Sequence, residues 1–361
     1  MRAIRYYGPG DVRLDDIPEP VVARAKSRSS GVSTWSATCA DTARAVCGSD
    51  LHFYHEGMQG ASSTATELHT VTNKTLPFVM GHEFSGTVAE LGPNVDITRL
   101  SVGQNVTIEP SITCMQPTCL YCATPGTRNL CPRITFLGVS GGGGGLSEYV
   151  VVDQVLAHVL PPGTSLEDGA MMEPLAVGWH AVKKANFKAG DTALILGAGP
   201  VAILLLKVLR VFQAAWVGVS GRSKTRCELA EQHGASAVFN VAAAGVDVVT
   251  ETLQATDQRG VDVVFDCGGT QATIDTATHA VRRGGTIMNL ALWSKKPVVD
   301  MYTLLFKEIV LANSVVYADD HPEMLDALGQ GRFGDLSNLV EKGIKALIHE
   351  KDQHVKILVH P

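Results

Sequence analysis

One stretch, Asp191–Val211, constrains the fold of this 361-residue chain more than any other. A short apolar run, Thr192–Leu196, stops at Gly197, and a second apolar stretch with helical spacing begins at Pro200. This pattern predicts a buried parallel strand, a tight turn and a helix. Strands and helices then alternate regularly as far as a last strand at Glu308–Ala312, which is typical of an α/β doubly wound parallel sheet, the Rossmann arrangement.

The turn inside this stretch has the form of a dinucleotide-binding loop. Gly199 leaves no side chain between the backbone and a diphosphate, and Pro200 suits the first turn of a helix. The helix amides and the positive end of its dipole then face the diphosphate. A plain glycine turn is the alternative, but the flanking strand and helix favour cofactor binding. We therefore expect cofactor contacts from Gly197, Gly199, Pro200, Val201 and, after a later strand, Cys267.

The second strand of the sheet bears on the choice of cofactor. NAD-binding units carry a carboxylate at its end, and this chain has Gly221 there. A carboxylate would repel a 2′-phosphate by about 4 kcal/mol at about 4 Å and an effective dielectric near 20. The guanidinium of Arg222 could form two hydrogen bonds to a phosphate, and the Ser223 hydroxyl could donate another. Lys224 or Arg226 would add positive charge. A solvated basic helix start is the alternative, but the missing acid favours NADP(H) over NAD(H).

Composition narrows the class of protein. The length suggests roughly two domains, and an apolar share of 45% provides ample core. The net charge of −6 argues against nucleic acid or an anionic membrane as the main partner. The N-terminal residues lack the apolar core of a signal peptide, and the eight cysteines are interpreted as thiols or metal ligands. We expect a cytoplasmic protein.

Two groups of residues are candidates for zinc binding. The first group shares positions at turns or helix starts beside small residues, and its members are Cys47, His82, Glu83 and Glu173. Catalytic zinc takes three such ligands and leaves one position open for substrate. The second group is a cluster of thiols, Cys114, Cys119, Cys122 and Cys131, which could close a structural site. Any one of these residues taken alone is more easily explained as structural.

The motifs Cys47-Gly-Ser-Asp-Leu-His52, Gly81-His82-Glu83, Glu173-Pro and Gly197-Ala-Gly-Pro, in this order, resemble the zinc-dependent medium-chain dehydrogenase/reductase (alcohol dehydrogenase) family. Within it the chain looks closest to the butanediol and polyol (sorbitol) dehydrogenases. The resemblance implies a mostly β, GroES-like catalytic domain formed by residues 1–176 and 316–361, and a Rossmann domain at 177–315. It also implies a homo-oligomer, a dimer or tetramer.

Residue roles follow from the same resemblance. Cys47 and His82 match ligands of the catalytic zinc, and either Glu83 or Glu173 supplies a carboxylate. Ser49 matches the hydroxyl that accepts the substrate proton. His52 passes that proton outward, and Asp50 orients the zinc-bound histidine.

The four clustered cysteines match the structural zinc lobe of that family. Their spacing is x4, x2 and x8, whereas the family pattern is x2, x2 and x7. Structural zinc is the favoured interpretation, and a lobe that has lost its metal is the alternative.

The resemblance implies an enzyme that interconverts a secondary alcohol or vicinal diol with its ketone, using zinc and NADP(H). A polyol or sorbitol-type dehydrogenase is the alternative substrate class. A nucleotide-sensing zinc protein and an inactive relative are further alternatives. The inactive relative stays open because Arg24–Thr42 lacks apolar periodicity where relatives carry an alternating strand. We expect irregular coil there, the product of a retained intron or frame error.

Overall fold

The computed structural model describes residues 1–21, 36–57, 67–69, 71–336, 340–342 and 356–359. The strands are β1 Arg2–Gly8, β2 Asp11–Asp16, β3 Ser36–Val46, β4 Phe78–Val79, β5 Glu83–Leu91, β6 Asn105–Ile108, β7 Ser111–Ile112, β8 Thr135–Phe136, β9 Val150–Asp153, β10 Ala157–Val159, β11 Thr192–Leu196, β12 Trp216–Gly221, β13 Ala237–Asn240, β14 Val261–Asp266, β15 Val281–Asn289, β16 Val310–Asn313, β17 Val340–Lys342 and β18 Lys356–Val359.

The α-helices are α1 Gly48–Glu56, α2 Leu120–Ala123, α3 Leu166–Ala170, α4 Met172–Lys184, α5 Pro200–Val211, α6 Lys224–Gln232, α7 Val248–Ala255, α8 Gln271–Ala280, α9 Met301–Lys307 and α10 His321–Gly329. No helix in the described parts of the chain is long and apolar enough to cross a membrane.

Six parallel strands form one sheet in the order β13-β12-β11-β14-β15-β16. The predicted doubly wound sheet is therefore confirmed. The chain starts at the centre of this sheet with β11, moves outward through β12 and β13, and returns to β14 on the other side. The order of the strands reverses at the carboxyl end of β11, and ligands bind at such points in α/β sheets.

The other sheets are mainly antiparallel. The larger one runs β10-β6-β5-β3-β18-β17, with β9 paired to one end of β3, and a smaller one runs β2-β1-β4. Because β18 pairs with β3, the C-terminal strand belongs to the same sheet as the N-terminal half of the chain. Helix α4 is continuous across the predicted domain boundary between 176 and 177.

Strand β3 corrects one expectation. Residues 24–35 lie outside the described residues, but Ser36–Thr42, expected to be coil, belong to β3 at the centre of the sheet. Ala37 and Cys39 are buried, and after a shift in register between Ala40 and Ala43 the burial continues at Ala43. Small side chains separated by a bulge conceal the two-residue period, because the bulge changes which residues face inward.

Candidate active site and zinc centres

The first zinc candidate group comes together through the pairing of β3 with β5. Ala45 lies opposite Glu83 in that pair, so Cys47, just beyond β3, reaches the start of β5. The Cys47 sulfur, a His82 nitrogen and a Glu83 carboxylate oxygen all lie within 4.8 Å of one another. His82 and Glu83 are both buried. The half-buried cysteine, together with the buried imidazole and carboxylate, provides a donor set that suits zinc with an open position.

Gly81 makes the tight approach before β5 possible. Its φ is +95°, in the region that favours glycine, and a Cβ there would lie 2.7 Å from the Leu146 side chain. The turn therefore presents His82 and Glu83 side by side.

Helix α1 carries the residues predicted to support this group. An Asp50 carboxylate oxygen accepts a 3.0 Å hydrogen bond from the Cys47 backbone N–H, while its other oxygen lies 3.6 Å from Nδ1 of His82. The Ser49 hydroxyl lies 3.3 Å from Nε2 of His82. The His52 side chain is outside the described residues, although its backbone continues α1. Asp50 thus contacts both the cysteine and the histidine.

Glu173 lies near this group without belonging to it. It occupies the first turn of α4 and is buried, but it is not among the residues whose candidate ligand atoms lie within 4.8 Å of one another. Burial disfavours the charged imidazolium of His82, yet Asp50, Cys47 and Glu173 raise the pKa of His82 well above its ordinary value. The site therefore has a negative potential that attracts a cation.

The second zinc candidate group also comes together, despite its altered spacing. The sulfurs of Cys114, Cys119, Cys122 and Cys131 all lie within 4.8 Å of one another. Those of Cys114 and Cys122 are 3.6 Å apart, and four sulfurs bound tetrahedrally at about 2.3 Å would be separated by about 3.8 Å.

The thiols of this second group do not ionise equally. Burial opposes ionisation of Cys114, but hydrogen bonds from the Gln116 backbone and Arg133 lower the pKa of that thiol to about 6. Burial raises the pKa of Cys122 to about 11, and Cys114 adds to the effect. A zinc ion bound to all four sulfurs would offset the repulsion between four thiolates.

The glycine turn has the geometry expected of a dinucleotide loop. Gly197 has a φ of +110°, and a Cβ there would lie 3.3 Å from the backbone carbon of Cys267. Gly199 precedes α5 with open space where a Cβ would stand, while Pro200 and Val201 begin the helix. The five predicted residues therefore lie together at the carboxyl edge of β11 and β14.

The end of β12 differs from the expectation in one respect. A Cβ at Gly221 would lie 2.6 Å from the Ala198 Cβ and 3.2 Å from the Cys227 sulfur, so glycine here is also a packing requirement. Ser223 is the N-cap of α6 and accepts a hydrogen bond of 3.4 Å from the Arg226 backbone N–H. Arg222 is exposed beside it.

A third group of candidate ligands, Glu109, His158 and His321, was not predicted from the sequence, and its atoms also lie within 4.8 Å of one another. The rings of His158 and His321 stack at 4.9 Å with planes 13° apart, so their in-plane lone pairs cannot meet at one ion. Arg128 hydrogen-bonds to Glu109 and already supplies the positive charge. We interpret this group as a charge-balanced network.

Tyr317 was also missed by sequence reasoning. It is completely buried, and its hydroxyl donates a 2.6 Å hydrogen bond to a carboxylate oxygen of Glu173. The two residues are 144 positions apart in the chain. A single tyrosine in an otherwise ordinary loop carries no local pattern that would signal this contact.

Comparisons with known proteins agree with this geometry. The alcohol dehydrogenase GroES-like domain matches residues 40–162, and the zinc-binding dehydrogenase domain matches residues 200–330. The chain is 34% identical over 371 aligned positions to (R,R)-butanediol dehydrogenase of Neisseria gonorrhoeae, covering all of this chain and 99% of the relative.

Two solved structures of dehydrogenases are similar to this chain over its whole length. The crystal structure of 2R,3R-butanediol dehydrogenase from Bacillus subtilis has a TM-score of 0.88 and 32% identity, covering all of this chain and 99% of the other. A zinc-binding dehydrogenase from Sinorhizobium meliloti bound to NADP has a TM-score of 0.82 and 28% identity over the same shares of the two chains.

Proposed function

This chain belongs to the zinc-dependent alcohol dehydrogenases of the medium-chain dehydrogenase/reductase family, and on that basis we propose that it interconverts a secondary alcohol or vicinal diol, of the butanediol and acetoin kind, with the corresponding ketone. The observation that carries the proposal is the group Cys47, His82 and Glu83, with Ser49 within 3.3 Å of His82. The named activity of the relatives supports the substrate class.

Cys47, His82 and Glu83 would hold the catalytic zinc, with Glu173 beside it. When bound, the metal supplies Lewis acidity that lowers the pKa of an alcohol, and the nicotinamide exchanges a hydride with the carbinol carbon. Asp50 contacts both Cys47 and His82, so it fixes the orientation of two donors at once.

Two residues of α1 would carry the proton that the substrate loses. As the Ser49 oxygen takes the proton of the substrate hydroxyl, Ser49 would give its own hydroxyl proton to His52 in the same helix, which passes a proton outward. A hydroxyl is suited to this step because it can accept one hydrogen bond while donating another.

We further propose NADP(H) as the preferred cofactor. Exposed Arg222 beside a strand end that carries no carboxylate supports this preference, because phosphate pairs well with a guanidinium fork. The Ser223 hydroxyl already caps α6, so Arg222 and Arg226 are the main candidates for binding a 2′-phosphate.

The cysteine lobe would hold a second, structural zinc, and the convergence of its four sulfurs supports this proposal.

A homo-oligomer, a dimer or tetramer, is supported by an apolar face on α9 and the edge strand β16. Its most exposed large side chains are Met301, Tyr302, Leu305, Phe306 and Val310. None of the eight cysteines, all of which lie in described residues, forms a disulfide, and this supports a cytoplasmic location.

The deciding experiment combines metal analysis of purified protein with oxidation of NADPH and NADH in the presence of acetoin, diacetyl, xylulose and fructose. We expect zinc and turnover with the small vicinal ketones. Faster turnover of the sugars would instead identify a polyol dehydrogenase. Cofactor binding without any turnover would contradict the proposal and favour a sensor or an inactive relative.

A further inference from the structure

Tyr317 lies in the return segment, residues 314–320, which leads from β16 of the parallel sheet to α10. Its side chain is completely buried, and its ring meets that of His321 edge-on with centroids 5.2 Å apart. The Tyr317 hydroxyl donates a 2.6 Å hydrogen bond to a carboxylate oxygen of Glu173. This hydrogen bond joins the return segment to the first turn of α4.

The return segment holds the same helix at a second point. Asp320 accepts a 2.8 Å hydrogen bond from Nδ1 of His180 and lies 3.1 Å from the Lys183 ammonium. Both of those residues belong to α4, which carries Glu173 in its first turn. The segment thus fixes the helix near its C-terminal end and the Glu173 side chain near its N-terminal end.

The backbone around Tyr317 adopts unusual conformations. Val316, just before it, has a φ of +55°, and Asp319, two residues after it, has a φ of +60°. A β-branched residue in the left-handed region is a genuine outlier, and such conformations persist only where the surroundings over-determine them. Here Asp319 is held by the Gly126 backbone N–H at 2.7 Å and by Arg128 at 3.2 Å. The strained position, Val316, thus lies directly before Tyr317.

We propose that Tyr317 is a positioning residue that holds the Glu173 carboxylate beside the group Cys47, His82 and Glu83, and thereby sets the zinc affinity of that group. The inference rests on the proposed function, because it takes this group as the zinc site. Glu173 has further contacts, but a hydrogen bond of 2.6 Å to a carboxylate is of the strong, charge-assisted kind. Removing it takes away one of the contacts that keep the carboxylate beside this group.

The test compares Tyr317→Phe, Glu173→Gln and the double variant. Zinc affinity is measured by competition with a chelator, and the signal that Cys47→Ala abolishes is assigned to the catalytic site. Tyr317→Phe keeps the packed ring, and we expect about tenfold weaker zinc binding at that site and about tenfold lower kcat with an unchanged KM for cofactor. In the Glu173→Gln background, Tyr317→Phe should change zinc affinity by less than about twofold, since the shared interaction is already lost.

Tyr7→Phe is the matched control, because the Tyr7 hydroxyl also bonds a carboxylate, that of Asp15 at 2.5 Å, in the β1–β2 hairpin. It should leave zinc affinity unchanged. Glu173→Asp provides a second variant with Tyr317 intact: its shortened side chain should also weaken zinc binding. Unchanged affinity in Tyr317→Phe, or effects that multiply in the double variant, would overturn the inference alone. Wild-type protein that holds no zinc at this site would overturn the proposed function as well.

Discussion

Asp50 contacts two of the candidate zinc ligands, Cys47 and His82. One of its carboxylate oxygens accepts a 3.0 Å hydrogen bond from the Cys47 backbone N–H, and the other lies 3.6 Å from Nδ1 of His82. Asp50 is itself buried at the start of α1. One side chain therefore fixes the position of a thiol and the orientation of an imidazole.

Asp50→Asn should weaken zinc binding at this site by about 10- to 100-fold, because the substitution keeps the shape and removes the charge that orients His82. Zinc content after dialysis against a weak chelator measures the effect. Asp247→Asn is the control, since Asp247 also caps a helix, accepting from the Val249 N–H at 3.1 Å, but lies in the Rossmann domain. Equal zinc retention in both variants would refute the role of Asp50.

The cysteine lobe should bind zinc independently of the catalytic site. We expect about two zinc ions per wild-type chain, one in Cys47→Ala, and none once Cys114→Ser is added, because each substitution removes one ligand of a separate site. Elemental analysis of the three proteins gives the counts. Loss of all zinc in Cys47→Ala would show that the lobe holds no metal of its own.

Arg222→Ala should weaken NADPH binding by about 10- to 150-fold while leaving NADH binding almost unchanged, because a charge-assisted contact to phosphate contributes about 1.5–3 kcal/mol. Quenching of tryptophan fluorescence by each cofactor measures both affinities. The control Arg259→Ala removes an exposed arginine from the loop that leads into β14, at the amino edge of the sheet. A wild-type preference for NADH would contradict the assignment at the end of β12.

His321 should make the protein sensitive to mild acid. Burial, with His158 and Arg128, outweighs the attraction of Glu109 and lowers the pKa of His321 to about 4 from 6.5. The unfolded chain therefore takes up this proton first. Stability is full above pH 6.5 and decreases by up to about 3 kcal/mol as the pH falls to 4.

Thermal unfolding midpoints between pH 7 and pH 4 test this dependence. His321→Gln should flatten the decrease, whereas His279→Gln, at an exposed position of α8, should retain it. An equally steep decrease in His321→Gln would assign the acid sensitivity to other groups.

The apolar face on α9 and β16 should be covered by a second copy of the chain. Leu305 and Phe306 are 71% and 59% exposed, and β16 is the edge strand of the parallel sheet. The double variant Leu305→Glu/Phe306→Glu should therefore elute as a monomer in size-exclusion chromatography with light scattering. Leu14→Glu, at an exposed site on β2, should not change the mass. A monomeric wild type would rule out this interface.

The sequence predicted best those features that are written within one short stretch. The strand before Gly197 was placed at its observed bounds, and the helix after Pro200 began where expected, because apolar period and glycine chemistry agree there. Strand β3 escaped detection because alanines and a bulge conceal its period. Tyr317 and the stacked pair His158 and His321 escaped because only the tertiary fold brings them together.

The packing at Gly221 limits how cofactor preference could change over time. An aspartate there, the residue an NAD-binding unit would carry, would bring its Cβ to within 2.6 Å of Ala198 in the glycine loop. A lineage that moved toward NAD(H) would have to alter the loop and the strand end together. The side chain at position 198 therefore limits which residues position 221 can carry.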